Sequence, residues 1–203
     1  MSLHRFYPIF DNADWCERLV PLGIKLVQLR AKDLPDDQLR AQIRRSKAVC
    51  DAYGCVLVIN DFWQMAIEEK CEWVHLGQED LDAADLGAIR AAGIKLGLST
   101  HDDAELDRAL ACTPDYVALG PVYPTILKKM KWTEQGLDKV TEWKTKIGDM
   151  PLVGIGGLNI ERAPGVLDAG ADIVSAVTDI TLNADPEARV RQWLAVTENH
   201  QKQ

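Results

Sequence analysis

Tyr116-Val-Ala-Leu119 runs directly into Gly120-Pro-Val-Tyr-Pro-Thr-Ile-Leu-Lys-Lys-Met-Lys-Trp-Thr-Glu-Gln-Gly136, and helical patterning resumes near Leu137. The first four residues read as a short buried strand. Past Leu119 the chain becomes a long polar loop with two prolines, Thr125, and the lysines Lys128, Lys129 and Lys131. Strand, loop and amphipathic helix make one β/α unit, and such folds place chemistry on the loop that leaves the strand. In a chain of net charge −8 this loop offers ammonium and backbone N–H groups, which suit a phosphorylated, multiply anionic ligand. The competing reading is a solvated lysine loop, and the rest of the chain decides between the two.

Outward from this unit the same alternation recurs in pattern, though not in letters. Apolar, β-branched runs occur at 5–10, 25–30, 55–60, 73–76, 94–99, 116–119, 151–155 and 172–177. Several are near-continuously apolar, as strands covered on both faces are. Helical segments with start or stop signals lie between them. Asp11-Asn12 and Asp14 precede Leu19-Val20, Pro35-Asp36-Asp37 opens a helix from Gln38 to Tyr53, and Asp85 opens one over 86–92. Asp102 opens 104–111, Asn159 opens 160–169, and Asp185-Pro186 opens a last helix to about Glu198. Gly54, Gly93 and Gly170 stand where C-terminal caps belong. Pro164 either weakens its helix or sits in the first turn. Eight strand–helix units in 203 residues with short connections predict a single (β/α)8 TIM barrel spanning residues 1–203. An open doubly wound sheet is the alternative, disfavoured because no Gly-rich phosphate loop follows the first strand.

Composition narrows the function classes. Hydrophobic content of 47% with 27% charged residues is globular. The acidic balance argues against nucleic acid as a partner. No apolar run approaches the roughly 20 residues that span a bilayer, and Met1 to Asn12 has no signal-peptide core. Five scattered cysteines without a CxxC pair read as reduced packing thiols, so a cytoplasmic location is expected. Small molecules are the expected partners, and assembly into a homo-oligomer is compatible with the sequence.

In a barrel the C-terminal strand ends converge on one rim. Read in order, they supply Gln28, Arg30 and Lys32, then Asn60-Asp61, then Gly77-Gln-Glu-Asp80, then Ser99-Thr-His101. The lysine loop, Gly156-Gly157 and Val177-Thr178 complete the ring. Each has a plain alternative: Asn60-Asp61 and Ser99 as helix caps, Gln78 to Asp80 as a turn, the glycine pair as a tight bend. Their shared rim favours chemistry. Arg30, Lys32 and Lys128 are cations on opposite arcs, and Asp61 and Asp80 are carboxylates able to approach each other. Mg2+ takes one or two carboxylates plus phosphate oxygens and water, so this set suits Mg2+–diphosphate. Gly156-Gly157 ahead of Asn159 and a helix offers N–H groups to a second phosphate. His75 reads as packing and His101 as part of a cap region.

The motifs Val27-Gln-Leu-Arg-Ala-Lys32, Ile59-Asn-Asp61, Val74-His-Leu-Gly-Gln-Glu-Asp80, Gly97-Leu-Ser-Thr-His101, Leu119-Gly-Pro-Val-Tyr-Pro-Thr125 with Lys128, Val153-Gly-Ile-Gly-Gly157 and Val174-Ser-Ala-Val-Thr178 resemble those of the thiamine phosphate synthase family. They stand in family order over nearly the whole chain. The resemblance implies a transferase that joins hydroxymethylpyrimidine diphosphate to a thiazole phosphate, giving thiamine monophosphate and diphosphate with Mg2+. It implies that Gln28, Leu29, Arg30, Ala31, Lys32 and Asn60 hold the pyrimidine diphosphate, with Arg30, Lys32 and Lys128 on its diphosphate. Ser99 would address the pyrimidine, Asp61 and Asp80 would ligate Mg2+, and Arg30, Lys128 and Ser99 would be the catalytic groups. Thr125, Ile126, Leu127, Gly157, Val177 and Thr178 would hold the thiazole phosphate. Phe62-Trp63 and Ala31 depart from the usual residues, where polar side chains and Glu are common. A thiazole tautomerase of the same fold and a non-catalytic phosphometabolite-binding protein are the alternatives. The first would not need Asp61, Asp80 and Lys128 together.

Overall fold

Eight parallel strands pair in chain order and close on themselves: β1 (Phe6–Phe10), β2 (Leu26–Leu29), β3 (Val56–Asn60), β4 (Trp73–Leu76), β5 (Lys95–Thr100), β6 (Tyr116–Leu119), β7 (Leu152–Gly154) and β8 (Ile173–Ala176). Closure comes from β1 against β8, with Phe6, Tyr7 and Pro8 opposite Val174, Ser175 and Ala176. The fold is therefore a (β/α)8 barrel and not an open sheet. The structure is a computed structural model that describes residues 3–125 and 133–200. Helices cover the outside: α1 (Ala13–Leu19), α2 (Asp36–Tyr53), α3 (Trp63–Glu68), α4 (Gln78–Ala83), α5 (Leu86–Ala91), α6 (Asp103–Ala111), α7 (Gly136–Ile147), α8 (Ala163–Asp168), α9 (Thr178–Thr181) and α10 (Pro186–Asn199). None among the described residues is long and apolar enough to cross a membrane.

The period of two in the strands builds two cores. Phe6, Val27, Ile59, Val74, Leu98 and Val117 face outward and pack with the helices. Tyr7, Leu26, Val58, Trp73, Tyr116 and Val153 face inward and fill the barrel. Tyr7 meets Tyr116 edge-on, with ring centroids 6.1 Å apart. Tyr116 fits because residue 97 on the neighbouring strand is glycine: a Cβ there would lie 2.0 Å from the Tyr116 ring.

Three helices, α3, α4 and α9, had no signal in the sequence. Each is six residues or shorter, and no side chain caps its N-terminus. Their stability comes from tertiary packing rather than local cues. The helix expected over 160–169 begins only at Ala163, with Pro164 in its first turn. Pro164 has no N–H to donate into a preceding turn, and Asn159 instead caps locally, its side-chain oxygen accepting from Arg162 N at 2.9 Å. That leaves 157–162 as an open loop at the barrel rim.

Gly97→Ala forces the inner core to yield at Tyr116. Overpacking of this kind costs about 1–3 kcal/mol. Urea denaturation should show a lower midpoint with an unchanged m-value; an unchanged midpoint would mean that Tyr116 does not occupy this space.

Candidate active site

Two adjoining cavities of about 390 and 360 Å³ open at the C-terminal ends of the strands. Arg30, Lys32, Asp80, Ser99, Ser175 and Val177 line both. Thr125, Gly156, Gly157 and Thr178 line only the larger, while Gln28, Asn60, Asp61 and His75 line only the smaller. The expected rim residues thus divide between two lobes with a common wall. Alternation past β2 explains which side chains take part. Gln28, Arg30 and Lys32 reach the cavities, whereas Leu29 and Ala31 are buried in the helix-facing core. Any ligand contact of those two would run through backbone. Ile126, Leu127 and Lys128 lie outside the described residues.

Asp61 follows β3 in the left-handed region, at φ 66°, which Asp tolerates better than most residues. Its N–H donates to the His75 carbonyl at 2.9 Å and its own carbonyl accepts from Trp63 N at 2.9 Å. These bonds hold the carboxylate at the rim, where Lys32 Nζ sits 3.1 Å away. Asp61 does not cap α3, so the capping alternative fails. Asp80, in the first turn of α4 rather than a bend, faces it. Burial, then the Asp61 charge and a hydrogen bond between the two side chains, push the Asp80 carboxyl above its usual range, with Lys32 opposing. Two carboxylates face each other on a rim that also carries Lys32 and Arg30. Among the described residues no cluster of three or more His, Cys, Asp or Glu could hold a metal. The pair therefore fits a cation that brings other oxygen ligands with it, as Mg2+ does with phosphate.

The floor below the rim is polar, and a chain of hydrogen bonds links most of its groups. Gln28 Nε2 donates to Tyr7 Oη at 2.8 Å, Tyr7 Oη lies 3.0 Å from Tyr116 Oη, and Tyr116 Oη lies 2.9 Å from His75 Nδ1. His75 Nε2 is 2.8 Å from Ser99 Oγ. Burial lowers the His75 pKa to about 4, against a weaker opposing pull from Asp80, so the imidazole is neutral at physiological pH. Burial also raises both phenols, which stay protonated. His75 is therefore part of the site and not mere packing. It could have been found from parity: in β4 it stands in register with Asn60 on one side and Gly97 on the other. Ser175 was also missed. It lines both lobes, is 1% exposed, and its hydroxyl has no protein partner among the described residues. Ser99 is not a cap; Asp102 caps α6 instead. His101 pairs with Glu105 at 2.7 Å and lines the larger lobe.

The stems of the lysine loop are fixed. Val122 N and Tyr123 N donate to the carbonyls of Ile155 and Gly156, and Gln135 N and Gly136 N donate to those of Pro121 and Val122. Gly156 and Gly157 have φ of 98° and 64°. A Cβ at Gly157 would lie 2.3 Å from the Pro124 carbonyl oxygen, so glycine is demanded by loop packing as well as by any ligand. Alanine there cannot separate the two roles. The Gly157 N–H donates to no described residue, and α9 begins nearby, directly after β8.

Comparison with known proteins bears on the family and the fold. A family model described as thiamine monophosphate synthase matches residues 7–180. A thiamine-phosphate synthase of Rhizobium etli is 64% identical over 197 residues, 97% of each chain. One from Neisseria meningitidis serogroup A is 47% identical, covering 95% of this chain and 94% of its own. A solved thiamine phosphate pyrophosphorylase from Pyrococcus furiosus superposes with a TM-score of 0.85 at 22% identity, over 97% of this chain and 96% of its own, and so shares the fold.

The carboxylate pair makes a stability prediction. A carboxyl whose folded pKa is raised loses stability as pH rises through that pKa, so charged Asp80 destabilises the ligand-free fold at pH 7. Asp80→Asn should melt higher than the parent at pH 7 in EDTA, and the gap should close below about pH 4, where the unfolded carboxyl is also protonated. A lower melting temperature for Asp80→Asn at pH 7 would contradict the facing-carboxylate geometry.

Proposed function

The chain belongs to the thiamine monophosphate synthase family and is a transferase of thiamine biosynthesis, and on that premise we propose how its two lobes divide the substrates. The smaller lobe takes hydroxymethylpyrimidine diphosphate, the larger takes the thiazole phosphate, and the bond forms across the shared wall. One observation carries this: Arg30, Lys32 and Asp80 stand on the wall common to both cavities, where a diphosphate would leave as the second substrate arrives.

Gln28, Asn60 and Ser99 hold the pyrimidine ring over the floor. Asp61 and Asp80 would hold Mg2+, which when bound would neutralise charge on the departing diphosphate. Arg30 and Lys32 contribute fixed positive charge on the same oxygens, and Lys128 joins them from the loop. Charge of this kind counts most where it grows in the transition state. The pyrimidine's amino group stabilises the methylene cation left behind, and the thiazole nitrogen attacks with its own lone pair. No proton has to be removed for the bond to form, which accords with a floor of neutral His75 and protonated tyrosines. Across the wall, the Gly157 N–H, the start of α9 at Thr178, and Thr125 and Val177 hold the thiazole phosphate, a role assigned also to Ile126 and Leu127, which lie outside the described residues. Binding of phosphate after the seventh and eighth strands is common in barrels.

Thiamine phosphate and diphosphate should appear in equal amounts when both substrates and Mg2+ are mixed with the enzyme. Arg30→Ala and Lys128→Ala should each lower turnover by on the order of 10²–10³, while Lys129→Ala stays near the parent. Asp61→Asn should raise the Mg2+ needed for half-maximal rate. Equal losses at Lys128 and Lys129, with Mg2+ dependence unchanged in Asp61→Asn, would contradict the assignment.

A further inference from the structure

The hydrogen-bond chain on the barrel floor has a direction. The Gln28 amide nitrogen donates to Tyr7 Oη at 2.8 Å. Among the described residues Tyr7 Oη has one other partner, Tyr116 Oη at 3.0 Å, so with Gln28 donating, the Tyr7 proton goes there. Tyr116 then accepts from Tyr7 and passes its proton to its remaining partner, His75 Nδ1, at 2.9 Å. His75 is 7% exposed and has a hydroxyl on each ring nitrogen, which suits the neutral ring. With Nδ1 accepting, the ring proton is on Nε2 and is donated to Ser99 Oγ at 2.8 Å. The Ser99 proton is then left for the cavities that Ser99 lines. We propose that Tyr7, Tyr116 and His75 form a directed wire that locks His75 as the Nε2–H tautomer and so fixes Ser99 as a hydrogen-bond donor to the substrate.

Reversing the wire would require the Gln28 amide to turn over and every bond in the chain to invert together. In the direction present, one Gln28 Nε2 hydrogen goes to Tyr7 and Oε1 is left as an acceptor. The floor thus presents an acceptor on β2 and a donor on β5. Resting on the substrate reading above, this pair matches the edge of an aminopyrimidine, whose amino group donates and whose adjacent ring nitrogen accepts. On that ring the carbon with the amino group neighbours the carbon whose methylene arm carries the diphosphate, and Gln28 and Arg30 line the same cavity. The wire therefore sets which way round the ring lies, with its leaving group toward Arg30. His75, Tyr116 and Tyr7 act through Ser99 and Gln28 and are positioning residues.

Nitrogen-15 NMR of the ligand-free full chain at neutral pH reads the tautomer directly, with the His75 signals assigned by their loss in His75→Gln. The expected result is a protonated Nε2 and a bare Nδ1. A protonated Nδ1, or a rapid mixture of the two forms, overturns the wire, whatever the substrates prove to be. Tyr116→Phe removes the proton given to Nδ1, so the tautomer bias should be lost in that variant. Its KM for the pyrimidine diphosphate should rise ~10-fold, the worth of one hydrogen bond, with KM for the thiazole phosphate unchanged. An unchanged tautomer, or equal shifts in both constants, overturns the proposal. Failure of the parent enzyme to turn over this substrate pair would instead sink the substrate reading, and the NMR result would still decide the wire.

Discussion

Closure of β1 against β8 is the constraint that governs everything else in the molecule. A closed barrel has no edge, so alternate residues of every strand are committed to an interior that cannot exchange them with solvent. Most of those positions are apolar, and Leu26, Val58, Trp73 and Ile173 fill the base. Nearer the rim the inward residues are Gln28, Asn60, His75, Ser99 and Ser175, all buried or nearly so. Leaving such groups unpaired would cost about 1–3 kcal/mol each. Gln28, His75 and Ser99 are paired through the two tyrosines. The Ser175 hydroxyl has no partner among the described residues, and it lies against both cavities. The polar floor thus satisfies a folding requirement and at the same time pre-orients the groups that face the ligand.

The rim obeys a different balance. The chain as a whole is acidic, at net charge −8, yet Arg30 and Lys32 sit with Asp61 and Asp80 around one opening. Asp61 is held in a left-handed backbone conformation, and Asp80 is pressed against it with its carboxyl shifted upward. Neither arrangement favours the empty protein. Both make sense if stability is given up so that a cation with phosphate oxygens completes the set. The same logic applies to Gly157, whose conformation is enforced by the loop packed on it and whose N–H is left without a described acceptor.

Much of this was legible in the sequence because barrels write themselves in simple periods. Eight apolar runs separated by capped helices specified the architecture, and the last residues of each run specified the rim. What escaped had a physical reason. Helices α3, α4 and α9 are short and lack capping side chains, so nothing local announces them. Pro164 offered two positions, and only the tertiary path of 157–162 chose between them. His75 looked like packing because a sequence shows which face a residue takes but not which hydroxyls on other strands will meet it. Tyr7 lies 109 residues from Tyr116, and no pattern along the chain pairs them. Leu29 and Ala31 were carried into the site by their motif, whereas alternation turns their side chains to the outer core.

The central claim is that one rim holds a metal-bound diphosphate between Asp61, Asp80 and the Arg30–Lys32 arc. Crystals soaked with Mn2+ and diphosphate test it most directly, because anomalous scattering locates the metal without assumption. The account predicts an anomalous peak within coordinating distance of both the Asp61 and Asp80 carboxylates, bridged to diphosphate oxygens that touch Arg30 and Lys32. Metal density elsewhere, or diphosphate bound on the Gly157 side with no metal at the carboxylate pair, would contradict it.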